Sequence, residues 1–205
     1  MSFRCPTCGA ALPGSPEGAA LVICDYCRTT SAVAAGGLTP QGTSAALLDP
    51  EGPFALGATG TLAAHLGGAA FEVKGRARYA TDAGAWDDWL LALDGGGSRI
   101  VEQGEGTLTL YDEWRSAGPI VLAGHWPGSS LELLGRSIVV RAMGRGWLEG
   151  GQGGVVCPFA PGVRFDFVEG SSERRLARVA GDGARTTLFL GRALELEDFE
   201  LAEAA

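Results

Sequence analysis

Cys5, Cys8, Cys24 and Cys27 stand at the front of the chain as C-x2-C-x15-C-x2-C, and no other feature restricts its segment so tightly. Two thiolate pairs, each on a tight turn, converge on one tetrahedral ion. In Cys5-Pro6-Thr7-Cys8-Gly9 the glycine permits the positive φ that turns backbone amides toward sulfur. Leu21-Val22-Ile23 reads as a short apolar strand leading into the second turn, Cys24-Asp25-Tyr26-Cys27. The pattern predicts a structural zinc ribbon over residues 1–31. Four cysteines fill the tetrahedron and leave no position for a catalytic water. Thiol exchange would need only one pair with a lowered pKa, whereas two matched pairs are what zinc requires.

The rest of the chain reads as β-structure. Its 33 glycines and 10 prolines in 205 residues are too many for long helices and suit short strands between frequent turns. A hydrophobic share of 46% supports a folded core. The formal charge of −8 repels phosphate backbones and anionic lipid, which argues against nucleic acid and membrane surfaces as partners. No apolar run is long enough to span a membrane, and no signal-peptide h-region precedes the cysteines. The expected location is a reducing cytoplasm.

Residues 32–53, rich in Ala, Gly, Thr and Pro, read as a linker that ends in Asp49-Pro50-Glu51-Gly52-Pro53. Strands follow. In the clearest, Phe71, Val73, Ala77 and Tyr79 fall on one face and Glu72, Lys74, Arg76 and Arg78 on the other. Leu62 to Arg76 aligns without gaps to Leu122 to Arg136, with Leu, Ala, His, Gly, Glu, Gly and Arg recurring in place. This repeat predicts a duplicated β module. The expected fold is mainly β: the zinc ribbon, then two related small SH3-like barrel or meander modules over 54–116 and 117–205. Modules of this size bury a core only marginally alone, so they are expected to pack together. The acidic tail from Leu194 reads equally as a short helix or a strand.

Phe71-Glu72-Val73-Lys74-Gly75-Arg76-Ala77-Arg78-Tyr79, followed by Trp86-Asp87-Asp88-Trp89-Leu90-Leu91 and an Asp-Gly turn, resembles the bacterial family catalogued as domain of unknown function 4178. A subgroup is similar at both ends, with an N-terminal C-P-x-C-G…C-x-Y-C ribbon and a closing segment like Leu188 to Asp198. The chain departs from many relatives at Ile100-Val101-Glu102-Gln103. The resemblance implies no established activity. It implies an accessory role, since members tend to be encoded near small membrane proteins and polyamine-synthesis or membrane-stress genes.

Lys74, Arg76, Arg78, Trp86, Asp87, Asp88 and Trp89 form the candidate partner-binding face, because Trp and Arg are enriched at interface anchors. Cross-strand ion pairing on a solvated sheet explains the same charges. His65 and His125 occupy equivalent repeat positions and read as turn residues, and Cys157 reads as an apolar cysteine. Gly95-Gly96-Gly97 and Gly150-Gly151-Gln152-Gly153-Gly154 read as turns, without the helix and lysine of a phosphate loop. The expected function is a non-catalytic adaptor for a protein partner, which could itself be membrane-associated. Two alternatives stand: a nucleic-acid-binding ribbon and barrel, or a small-ligand binder or enzyme using a cleft between modules with Arg76, Arg136 and the Trp86–Trp89 block.

Overall fold

A computed structural model of the chain describes residues 3–12, 18–48, 52–156 and 159–202. At the N-terminus β1 (Phe3–Arg4) pairs with β2 (Ala11–Leu12), and β3 (Leu21–Ile23), β4 (Thr29–Ala34) and β5 (Gly37–Thr43) form an antiparallel meander. The first part of the expected linker is therefore sheet. Its composition hid this because β4 and β5 carry no apolar alternation; β4 instead buries Thr29, Thr30 and Ser31, and Thr30 Oγ1 lies 2.6 Å from Ser44 Oγ.

The remaining strands are β6 (Thr59–Leu62), β7 (Ala70–Thr81), β8 (Ala85–Leu93), β9 (Ser98–Gly104), β10 (Thr107–Ala117), β11 (Ser130–Leu133), β12 (Arg136–Val155), β13 (Arg164–Ser172), β14 (Arg175–Gly181), β15 (Thr186–Leu194) and β16 (Phe199–Leu201). Eight of them close an antiparallel barrel in the order β7-β8-β9-β10-β15-β14-β13-β12, with β12 returning to β7. The segments 54–116 and 117–205 each supply four barrel strands, and neither closes a sheet by itself. The seam depends on glycine. A Cβ on Gly75 would stand 1.8 Å from the Gly154 carbonyl oxygen, and one on Gly151 would stand 2.7 Å from that of Arg76. The glycine run expected as a turn at 150–154 is thus the end of a strand, whose glycines let β7 and β12 approach closely.

A bulge between Val73 and Gly75 changes which residues of β7 share a face. Phe71 and Val73 join an outer cluster with Trp89 and Leu91, and Arg76 and Arg78 follow them on that side. Ala77 and Tyr79 turn into the barrel interior with Phe165, Phe167 and Phe189. The strict alternation expected from sequence fails here because one extra residue, Lys74, shifts the parity.

The two aligned segments pack on the outside of the barrel. Leu62, Phe71 and Val73 lie in the cluster outside β7–β10, and Leu122, Leu131 and Leu133 lie in its counterpart outside β12–β15. Correspondence ends at the paired glycines. Gly75 continues β7 through its bulge, whereas Leu134 and Gly135, with φ of 53° and 73°, turn the chain from β11 into β12. The N-terminal cysteine segment joins the barrel directly: β3 pairs with the end of β12, Ile23 opposite Gly153 and Leu21 opposite Val155. Leu21 and Ile23 enter the barrel's interior cluster, while Val22 packs with Cys5, Leu12 and Cys24. The tail forms a 3-10 turn at Leu196–Asp198 and then β16 on β6. No helix among the described residues is long and apolar enough to cross a membrane.

Candidate metal centre and binding groove

Two similar turns build the cysteine centre. The Gly9 amide donates to the Cys5 carbonyl at 2.9 Å, and the Arg28 amide donates to the Cys24 carbonyl at 2.8 Å. Gly9 and Arg28 follow their second cysteines with φ of 74° and 59°. Arg28 therefore accepts the conformation that glycine supplies in the first turn. The four Sγ atoms lie within 4.8 Å of one another, Cys5 to Cys27 at 3.5 Å and Cys8 to Cys24 at 3.7 Å. Four sulfurs ~2.3 Å from a common centre stand roughly 3.8 Å apart, so these positions fit a tetrahedral ion. They are far outside disulfide length, and all four cysteines are free.

The protons on these sulfurs are unequally held. Hydrogen bonds from the Thr29 hydroxyl and amide pull Cys27 down to about 6. At Cys8 the Ala10 amide favours the thiolate, but loss of water and the three neighbouring sulfurs outweigh it and push the thiol up to about 12. Four thiolates this close need a cation to share them. An all-sulfur tetrahedron suits zinc or iron.

On the outer face of the barrel, a groove with a volume of about 1080 Å³ runs between residues 45–48 and the end of β15. Register places one straight row beneath it: Gly150, Arg78, Asp87, Gln103, Leu108 and Leu194 are successive cross-strand partners. The floor is charged at one end and aliphatic at the other. Arg76, only 3% exposed in its side chain, forks onto Asp87 with Nε to Oδ1 at 3.0 Å and Nη2 to Oδ2 at 3.1 Å. Its Nη1 donates to the Leu48 carbonyl at 2.8 Å, and its guanidinium lies 5.2 Å from the Trp89 ring. Arg78 donates to Asp87 Oδ2 at 3.1 Å and lies 3.2 Å from Glu149. Trp89 Nε1 donates to Gln103 Oε1 at 3.0 Å, fixing the middle of the row.

A second ionic cluster lies inside the barrel. Arg178 donates from Nη1 to Asp88 Oδ1 at 2.8 Å and from Nη2 to Oδ2 at 2.5 Å. Nη1 also reaches Glu102 Oε2 at 2.5 Å, and Tyr111 donates to the same oxygen at 3.2 Å. The guanidinium stacks near Phe189, Tyr111 and Trp86. Burial pushes Glu102 up to about 7, with Asp88 and Glu169 adding to the rise and Arg178 and Tyr111 opposing it.

The candidate partner-binding residues are thus divided. Arg76, Arg78 and Asp87 line the groove, and Trp89 lies beneath Arg76. Asp88 and Trp86 point into the barrel, because successive residues of a strand face opposite sides. Lys74 sits at the bulge and pairs with Glu72 at 2.5 Å, away from the groove. Arg136 lies 4.0 Å from Glu113 in the other half of the barrel, outside the groove as well. His65 contacts Asp198 at 3.2 Å and so ties a repeat turn to the tail, while Cys157 lies outside the described residues. Sequence reasoning missed Gln103, Glu105 and Glu149 on the groove and Arg178 in the interior. Arg178 had a signal: one charge among the apolar residues Leu176, Ala177, Val179 and Ala180. Comparison with family models, curated proteins and solved structures returns no match.

Proposed function

We propose that this chain is a non-catalytic zinc-ribbon barrel protein that acts as an adaptor, receiving a segment of a protein partner in its outer groove. The observation that carries the reading is the groove's floor of already paired charges. Asp87 has both oxygens engaged by Arg76 and Arg78, so it holds geometry and is poorly placed to move a proton. Prepaired polar groups beside an aliphatic end orient a bound segment without reorganising. The four cysteines hold a structural zinc in this reading, with no coordination position left for chemistry. Free thiols suit a reducing cytoplasm. The family resemblance adds a setting, an accessory role in a membrane-stress or polyamine-linked complex.

The test compares capture from a lysate of the source cells by the intact, zinc-loaded protein and by Ala193→Trp. Ala193 is exposed and lines the groove, so an indole there adds bulk at its wall without displacing a buried side chain. The expected result is one partner held by the wild type and released by the variant. Equal capture by both proteins would remove the groove from the account.

A further inference from the structure

We infer that the groove accepts an extended segment of about seven residues, with a lysine or arginine toward one end and aliphatic side chains toward the other. This rests on the adaptor reading and adds the chemistry of the segment. Length comes from the row beneath the groove. It crosses six strands, and five steps of ~4.8 Å span roughly 24 Å, which an extended chain covers in about seven residues at ~3.4 Å each.

The sign of the charge comes from what is left unpaired. Arg76 spends its donors on Asp87 and the Leu48 carbonyl. Arg78 is flanked by Asp87 and Glu149. Glu105, exposed at the β9–β10 turn, makes no hydrogen bond or ion pair among the described residues, and Glu149 meets Arg78 through one oxygen. The groove is lined by Arg76 and Arg78 against Asp87, Glu105, Glu149 and Glu195, two more carboxylates than guanidiniums. An anionic segment would meet that excess directly, whereas a cationic side chain finds open acceptors on Glu105 and Glu149. At the other end Leu108, Leu194 and Leu196 line the groove, with Leu196 exposed at 63%. They offer apolar contact to aliphatic residues, which a short free amine would leave unused.

The experiment pans a random heptapeptide library on the intact, zinc-loaded protein and then measures a synthetic peptide of the enriched sequence. Enriched peptides should carry Lys or Arg near one end and Leu, Ile or Val toward the other. Glu105→Lys and Ala193→Trp should each weaken the synthetic peptide by ~10-fold or more, since each places repulsion or bulk in the groove. Arg145→Glu should leave it unchanged, because Arg145 lies outside the groove. No enrichment, enrichment of acidic peptides, or an unchanged affinity in Glu105→Lys overturns the proposed chemistry. A free alkyl diamine that competes as well as the peptide would reassign the site to small amines. If Ala193→Trp releases the captured partner while the enriched peptides are acidic, the adaptor reading stands and this one falls. If Ala193→Trp changes neither capture nor peptide affinity, both fall.

Discussion

Asp87 and Asp88 are neighbours in the chain, yet each meets a buried arginine on a different side of the barrel wall. Outside, Asp87 is shared by two guanidiniums, Arg76 and Arg78. Inside, Arg178 is shared by two carboxylates, Asp88 and Glu102. The outer cluster sets Arg76 and Arg78 against Asp87 and Glu149 and opens onto a groove. The inner one is buried, and that burial, with Asp88 and Glu169 nearby, makes Glu102 keep its proton to higher pH despite Arg178. The same pair of residue types therefore builds a paired ionic floor beneath an open groove on one face and a proton-holding brace on the other.

The two sides also differ in what closes them, and this gives the largest expected effect. Leu21 and Ile23 of the ribbon pack in the interior cluster, and Ile23 immediately precedes Cys24. Cys24→Ser, or a strong chelator acting on the ion proposed for the four cysteines, should forfeit a binding free energy that is on the order of 10 kcal/mol in isolated zinc modules. Hydrogen exchange should then rise in β3 and in β12 near Gly153–Val155, while β8 and β9 beneath the groove keep their protection. Equal loss throughout would mean that the ribbon does not stopper one side selectively.

Removing the arginines sharpens the contrast next. Arg178→Leu leaves Asp88 and Glu102 buried without their cation and should cost about 3–5 kcal/mol in denaturant unfolding. Arg76→Leu leaves Asp87 still paired with Arg78 and should cost about 1–3 kcal/mol. If the outer variant proved the more damaging, the roles given to the two clusters would have to be exchanged.

A smaller effect lies in pH. Glu102 binds its proton more firmly in the folded barrel than in the unfolded chain. That contribution is full below the ordinary value of 4.5 and is lost as pH rises to about 7. Relative to Glu102→Gln, the wild type should lose stability across this window, by at most ~1.4 kcal/mol per pH unit. Thermal unfolding of both proteins at several pH values checks it, and parallel profiles would contradict it. The smallest effect belongs to Ala193→Trp, whose stability should stay within ~0.5 kcal/mol of wild type because Ala193 is exposed, even as partner capture is lost.

Much of this was legible in the chain. The cysteine spacing is dictated by coordination chemistry and led directly to four converging sulfurs. Glycine and proline content led to strands and turns. Barrel closure was hidden because one side of its seam is the glycine-rich run Gly150 to Gly154, which read as a turn, meeting Gly75 of β7. The groove's residues were partly hidden by Lys74, whose bulge moves Arg76 and Arg78 onto the face of Phe71 and Val73. No local pattern announces an inserted residue, since its cause is the pairing with β8 and β12. Gln103 and Glu149 reach the site only through cross-strand register, which spans long stretches of sequence.

The central claim is that the groove is where this protein meets its partner. A photo-crosslinking amino acid placed at Ala193 on the groove wall, and separately at Arg145 on the outer face of β12, tests it in the source cells. The account predicts one discrete protein adduct from position 193 and none from 145. An adduct from 145 alone, or none from either position, would contradict it.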